Sequence, residues 1–140
     1  MPAPPRLVRI RLASLVVAAA VSVAAMGACG DDEPSSAPGD CTPITDGTQT
    51  LVAENLAWDI SCLGVDQGTD IAFTVDLRDT SVDHNLALSG PSGRAKTPLE
   101  RGPRRQSLRY EASEAGRHPF VCDIHPAMEG DLFVDPADGG

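Results

Sequence analysis

Apolar residues recur at every second position in the clearest stretch of the chain. From Asp70 to Leu77 the side chains of Ile71, Phe73, Val75 and Leu77 make one face, with Asp70, Thr74 and Asp76 on the other. A period of two is the mark of a half-buried strand. Shorter runs of the same kind predict strands at 49–54, 59–63, 84–89, 106–112, 117–122 and 131–134. Turn-forming residues stand at most of the joints: Gly64, Gly68, Gly90-Pro91, Gly102-Pro103, Gly116 and Gly130. Beyond residue 28 no stretch carries the 3.6-residue apolar stripe of an amphipathic helix. About seven short strands in about 95 residues predict an all-β fold, an antiparallel β-sandwich.

The first 28 residues follow another pattern. Arg6, Arg9 and Arg11 precede a small, apolar run over 12–28, broken only by Ser14, Ser22 and Gly27. This is the order of a secretory signal peptide, and the run is short for a membrane-spanning helix. It ends Met26-Gly27-Ala28-Cys29, which resembles the lipobox of bacterial lipoproteins, with Met where that family most often has Leu. The resemblance implies that Cys29 is acylated and becomes the mature N-terminus; two or more acyl chains would hold the protein on a membrane. Cleavage near Ala28 that leaves Cys29 a free thiol is the alternative. Residues 30–40 hold no large apolar and no basic side chain, so 29–40 reads as a solvated tether. What remains is one domain over 41–136 and a tail over 137–140, expected outside the cell membrane and as a single copy.

Charge narrows the partners. The 140 residues carry a formal net charge of −9. Setting aside the three leader arginines leaves 8 of the 11 basic side chains against all 20 acidic ones, a net of −12. Such a domain repels nucleic acid and anionic headgroups, which argues against bulk binding of either. No serine–histidine pairing, phosphate loop or paired-carboxylate signature points to an enzyme.

The chemistry lies elsewhere. Cys122, His125 and Met128 stand as C-x-x-H-x-x-M in FVCDIHPAMEG, and some forty residues earlier comes Asp83-His84-Asn85. Two imidazoles, a thiolate and a thioether are the ligands of a trigonal His₂Cys copper site with a weak axial Met. Soft sulfur favours Cu(I), and imidazole accepts both oxidation states. Alternation sets His84 on the same side as Leu86 and Leu88, pointing inward. Taken singly, Cys122 reads as a small buried hydrophobe, His125 as a loop residue and Met128 as core filler. Yet Met128 is the one methionine after the leader, and two of the three histidines belong to the set. Zinc is the chemical competitor, but structural zinc takes four Cys or His ligands and thioether serves it poorly.

Residues 41–136 resemble the small type 1 (blue) copper proteins of the plastocyanin, pseudoazurin and amicyanin group, the cupredoxins. His84-Asn85 matches the group's His-Asn pair, and Cys122, His125 and Met128 match its C-terminal ligand loop, with gaps most like those of amicyanin. The resemblance implies a Greek-key β-sandwich of eight strands holding one copper ion that cycles between Cu(I) and Cu(II). It implies one-electron transfer to redox partner proteins across the ring edge of His125, with Asn85 tying the two ligand segments together. His118 stands where relatives commonly have Tyr, Pro119 interrupts the same strand, and Asp83 occupies a common Pro position. An electron carrier is the leading expectation. Extracytoplasmic capture or delivery of copper is the alternative, and a detached oxidase module is disfavoured because no His-x-His ligand set is present.

Other residues fall into place around that reading. With Cys29 assigned to lipid and Cys122 to metal, Cys41 and Cys62 remain for a disulfide, which an exported chain can form. Closing a loop of about 20 residues contributes about 3 kcal/mol. His118 is expected as a hydrogen-bonded interior histidine rather than a fifth ligand or a switch. Trp58 and Tyr110 are expected as packing rather than an electron relay. Arg94, Lys96, Arg101, Arg104, Arg105 and Arg109 form a basic stretch, read as a solvated hairpin or loop or as a dock for an acidic redox partner.

Overall fold

A computed structural model describes residues 37–137. The leader, the Cys29 lipidation site and most of the 29–40 segment lie outside the described residues, as do 138–140. Among the described residues there are twelve strands and no helix. They are β1 (Thr42–Pro43), β2 (Thr48–Glu54), β3 (Ala57–Trp58), β4 (Cys62–Asp66), β5 (Asp70–Leu77) and β6 (Asp83–His84). The rest are β7 (Ala87–Gly90), β8 (Gly93–Lys96), β9 (Glu100–Arg101), β10 (Arg104–Glu111), β11 (Gly116–Cys122) and β12 (His125–Asp135).

One sheet runs β1-β4-β12-β11-β7-β8 and the second β10-β5-β2-β3, with β6-β9 as a separate short pair. The sheets are mixed rather than wholly antiparallel, since β1 with β4, β4 with β12, and β2 with β5 are parallel. Alternation reports which face of a strand is buried and says nothing of the direction of its neighbour, so this difference was invisible in the pattern. The inward faces meet in one core. Leu51, Ile71, Phe73, Val75 and Leu77 come from one sheet, and Leu63, Leu88, Phe120, Leu132 and Val134 from the other. Each such side chain contributes about 1.5–3 kcal/mol on burial. In β5 burial alternates as expected, with every second residue from Ile71 to Leu77 inside.

Three expected strands end differently, each for a local reason. The strand expected at 59–63 starts at Cys62, because Asp59 turns back on β2: its carboxylate accepts the Val52 N–H at 2.7 Å and its own N–H donates to the Val52 carbonyl at 3.1 Å. The strand expected at 84–89 breaks into β6 and β7 around Asn85 and Leu86. There the Leu86 N–H donates to the Thr97 hydroxyl at 3.0 Å, and His84 to Leu88 are all buried without alternation. The strand expected at 131–134 extends back to His125.

The Cys41–Cys62 disulfide is formed and joins the segment before β1 to β4. At Ala37 the described chain is already tied to the domain, its N–H donating to Asp135 Oδ1 at 2.7 Å. None of the described residues forms a helix long and apolar enough to cross a membrane.

Gly130 faces Phe120 across the β11–β12 ladder. A Cβ on residue 130 would lie 2.3 Å from the Phe120 ring and 2.8 Å from the Ser61 carbonyl, so neither neighbour leaves room. Gly130→Ala is therefore expected to destabilise the domain by about 1–3 kcal/mol. Urea denaturation checks this through a lowered midpoint.

Candidate metal centre

Two segments distant in sequence meet at one end of the sandwich. β6 delivers His84, and the β11–β12 hairpin delivers Cys122 and His125 on either side of an Asp123-Ile124 turn. On β11, Val121 pairs with Glu129 but Cys122 pairs with His125, so Pro126, Ala127 and Met128 bulge out of the ladder. Pro126 has no N–H to offer a ladder and suits that bulge. Pro126 and Ala127 face outward, and Met128 turns into the core with 1% of its surface exposed. The C-x-x-H-x-x-M spacing is thus a hairpin turn followed by a bulge.

The donor atoms converge. His84 Nδ1 lies 3.1 Å from His125 Nδ1 and 3.9 Å from Cys122 Sγ, and Sγ lies 3.5 Å from His125 Nδ1. A triangle with those sides has a centre about 2 Å from each corner, close to the roughly 2.0–2.3 Å bonds that nitrogen and sulfur make to a first-row ion. The donor set therefore fits a metal in size as well as in chemistry. His84 is fully buried and Cys122 nearly so, while His125 is half-buried at the rim.

The far side of His84 is held by a carboxylate. Its Nε2 lies 2.8 Å from Asp79 Oδ2. Asp79 also accepts the N–H of Asn55 at 2.9 Å and of Leu56 at 3.2 Å. The Asn55 N–H is the main cause that holds the Asp79 carboxyl below the usual carboxylate range; burial opposes it, and Leu56 and His84 add to it. An ionised carboxylate can only accept, so Nε2–H is the donor, which leaves Nδ1 on the side of the cluster. Asn55 and Leu56 have φ of 56° and 59°. The left-handed conformation costs a residue such as Leu about 1–2 kcal/mol, and it aims both N–H groups at Asp79.

Asn85 joins the two ligand segments. Its Oδ1 accepts the Asp123 N–H at 2.9 Å, and its Nδ2 donates to Asp123 Oδ2 at 3.0 Å and to the Thr97 carbonyl at 3.2 Å. Asp123 is gripped further by Arg94 and Lys96. The Asn85 amide is the first cause that holds the Asp123 carboxyl low, and Lys96 and Arg94 reinforce it against burial.

No protein-family model matches the chain, and no curated protein does. Solved structures do. Auracyanin of the photosynthetic bacterium Roseiflexus castenholzii superposes with a TM-score of 0.60 at 21% identity, over 66% of this chain and 100% of that one. Auracyanin A of Chloroflexus aurantiacus, described as a "blue" copper protein, gives 0.57 at 22% over 66% and 99%. An amicyanin variant gives 0.50 at 22% over 66% and 86%.

The fold is that of the cupredoxins.

Within the cupredoxin frame the other singled-out residues take structural places. His118 is buried, with Tyr110 Oη 2.7 Å from its Nδ1. Trp58 Nε1–H donates to the Met128 carbonyl at 3.2 Å, and its ring meets Phe120 edge-on at 6.2 Å. The indole therefore braces the bulge that carries Met128. The basic stretch is strand rather than loop, spread over β8, β9 and β10. Arg101 pairs with Asp83, Arg104 with Glu100 and Arg105 with Asp76, besides the two cations on Asp123. Asp79 and Asp123 escaped sequence reasoning. No motif sets them apart from the other acids; only the fold brings them to the histidine and the asparagine.

Burial is the main cause that pulls the His118 pKa below the usual imidazole value, with Glu114 opposing it. A depressed folded pKa means that the unfolded chain takes up this proton first as pH falls. The stability held by neutral His118 is complete above about pH 6.5 and is lost progressively below it. The Asp79 and Asp123 contributions have the same sign but fall away only below about pH 4. Thermal melts of the metal-free protein should therefore show a midpoint that drops between about pH 7 and pH 5. His118→Phe should flatten that slope.

Proposed function

We propose that this protein is a copper-binding electron carrier, which exchanges single electrons with redox partner proteins through a type 1 copper site. The triangle formed by His84 Nδ1, Cys122 Sγ and His125 Nδ1 carries the reading. Met128, buried and three residues beyond His125 on the same strand, would add a thioether donor. Copper, when bound, supplies a one-electron Cu(II)/Cu(I) couple.

The chain's own part is to hold that geometry still and to open one edge of it. His84 is locked by Asp79 at Nε2, and the hairpin is locked to β6 through Asn85 and Asp123. Ligands held this way move little when the charge at the centre changes. Release of metal to an acceptor would need them to swing away, which supports the carrier over copper delivery. His125 reaches the rim. Leu56, Leu99 and Ile124 are the exposed large apolar side chains among the described residues, each between 44% and 50% exposed. Ile124 lies in the ligand hairpin, Leu99 precedes the Glu100 that pairs with His84, and the Leu56 N–H binds the Asp79 that holds His84. Exposed apolar side chains on segments tied to the ligands suit brief docking of a partner. Four protein ligands leave no open position for a substrate, so we infer no enzymatic reaction.

The proposal extends to location. Acylated Cys29 and the 29–40 tether would hold the 41–136 domain, as a monomer, at the outer face of a membrane. The Cys41–Cys62 disulfide supports an exported, oxidising setting.

Adding Cu(II) to the metal-free protein is expected to raise an intense visible thiolate-to-copper band. Cys122→Ser should abolish it, and a colourless adduct of the unaltered protein would refute the proposal. For the anchor, mass spectrometry of the mature N-terminus should find lipid on Cys29; an unmodified Cys29 would remove the membrane from the reading.

A further inference from the structure

Three carboxylates surround the ligand cluster, and one is held differently from the others. Asp83 pairs with Arg101, and Asp123 with Arg94 and Lys96, so their charges are met by cations at the surface. Asp79 is met by the N–H groups of Asn55 and Leu56 and by the ring of His84. Its backbone is fixed as well, since its carbonyl accepts the Gly102 N–H at 2.9 Å. A Cβ on residue 102 would lie 2.5 Å from the Leu77 carbonyl oxygen and 2.8 Å from that of Asp79, so the close approach requires glycine. The turn at Asn55-Leu56 holds its left-handed backbone with both N–H groups on this one carboxylate. Three separate parts of the chain therefore converge to hold a negative charge behind a buried histidine whose other nitrogen faces the cluster.

We propose that Asp79 is a positioning residue that sets the electron affinity of the copper centre through His84. The inference rests on the copper reading above. A carboxylate that accepts the Nε2 proton makes the imidazole a stronger donor at Nδ1 and fixes the plane of the ring. A stronger donor on a more negative background favours Cu(II) over Cu(I) and lowers the reduction potential.

Asp79→Asn keeps the size of the side chain and an oxygen that can accept from Nε2, but removes the charge. In the full chain loaded with copper, this variant should keep the intense visible band while its Cu(II) affinity falls ten- to a hundredfold relative to Cu(I). A redox titration reads each tenfold change as about 59 mV toward higher potential. Asp79→Ala, which also frees the ring, should in addition alter the copper hyperfine pattern in paramagnetic resonance. Asp83→Asn, a carboxylate of the same region that is paired with Arg101, should move the potential less. A blue Asp79→Asn protein with an unshifted potential, or one shifted no more than Asp83→Asn, overturns this inference alone. A colourless unaltered protein overturns the copper reading and this inference together. Should Asp79→Asn fail to fold, proton NMR of the unaltered Cu(I) protein decides. A slowly exchanging, strongly downfield His84 Nε2–H resonance supports the inference, and its absence overturns it.

Discussion

Three donor atoms converge here because two segments 38 residues apart in sequence are clamped by groups outside the ligand set. The clamp is the reciprocal pair between Asn85 and Asp123: amide oxygen to backbone N–H, amide N–H to carboxylate. Hydrogen bonds to a charged group contribute about 1.5–3 kcal/mol, more than the 0.5–1.5 of a neutral one. Arg94 and Lys96 steady the same carboxylate from β8. Exposed ion pairs of that kind add little stability by themselves. Their placement matters more, because they hold Asp123 on Asn85 and so hold Cys122 opposite His84.

The sandwich gives this clamp a rigid base. β11 lies between β12 and β7, so the strand that ends in Cys122 is hydrogen-bonded on both edges. Phe120 fills the space over Gly130, and Trp58 reaches from the other sheet to the Met128 carbonyl. The bulge at 126–128 interrupts the ladder, yet its buried end is tied down. Under the copper reading that support matters, since Asp79 holds His84 and the strands on either side hold the segment that ends in Cys122.

The charge distribution has the same logic. The chain is acidic overall, but Arg94, Lys96, Arg101 and Arg104 pair with carboxylates on or beside the ligand segments. These four members of the basic stretch of residues 94–109 thereby become part of the scaffold around the ligands. Asp79 stands apart, with its charge turned inward along the His84 ring.

The alternation of β5, the turn residues, the C-x-x-H-x-x-M spacing and the His84-Asn85 pair determined an all-β domain with His84, Cys122, His125 and Met128 as candidate ligands. They could do so because strand periodicity and ligand chemistry are local properties of the chain. The parallel pairings of β1, β4 and β12, the break at Asn85-Leu86 and the carboxylate behind His84 were decided by tertiary structure. An aspartate in a loop reads the same whether it faces solvent or a buried imidazole, and strand direction leaves no trace in alternation. What placed the carboxylate was the meeting of residues 55, 79, 84 and 102, specific only in contact with one another.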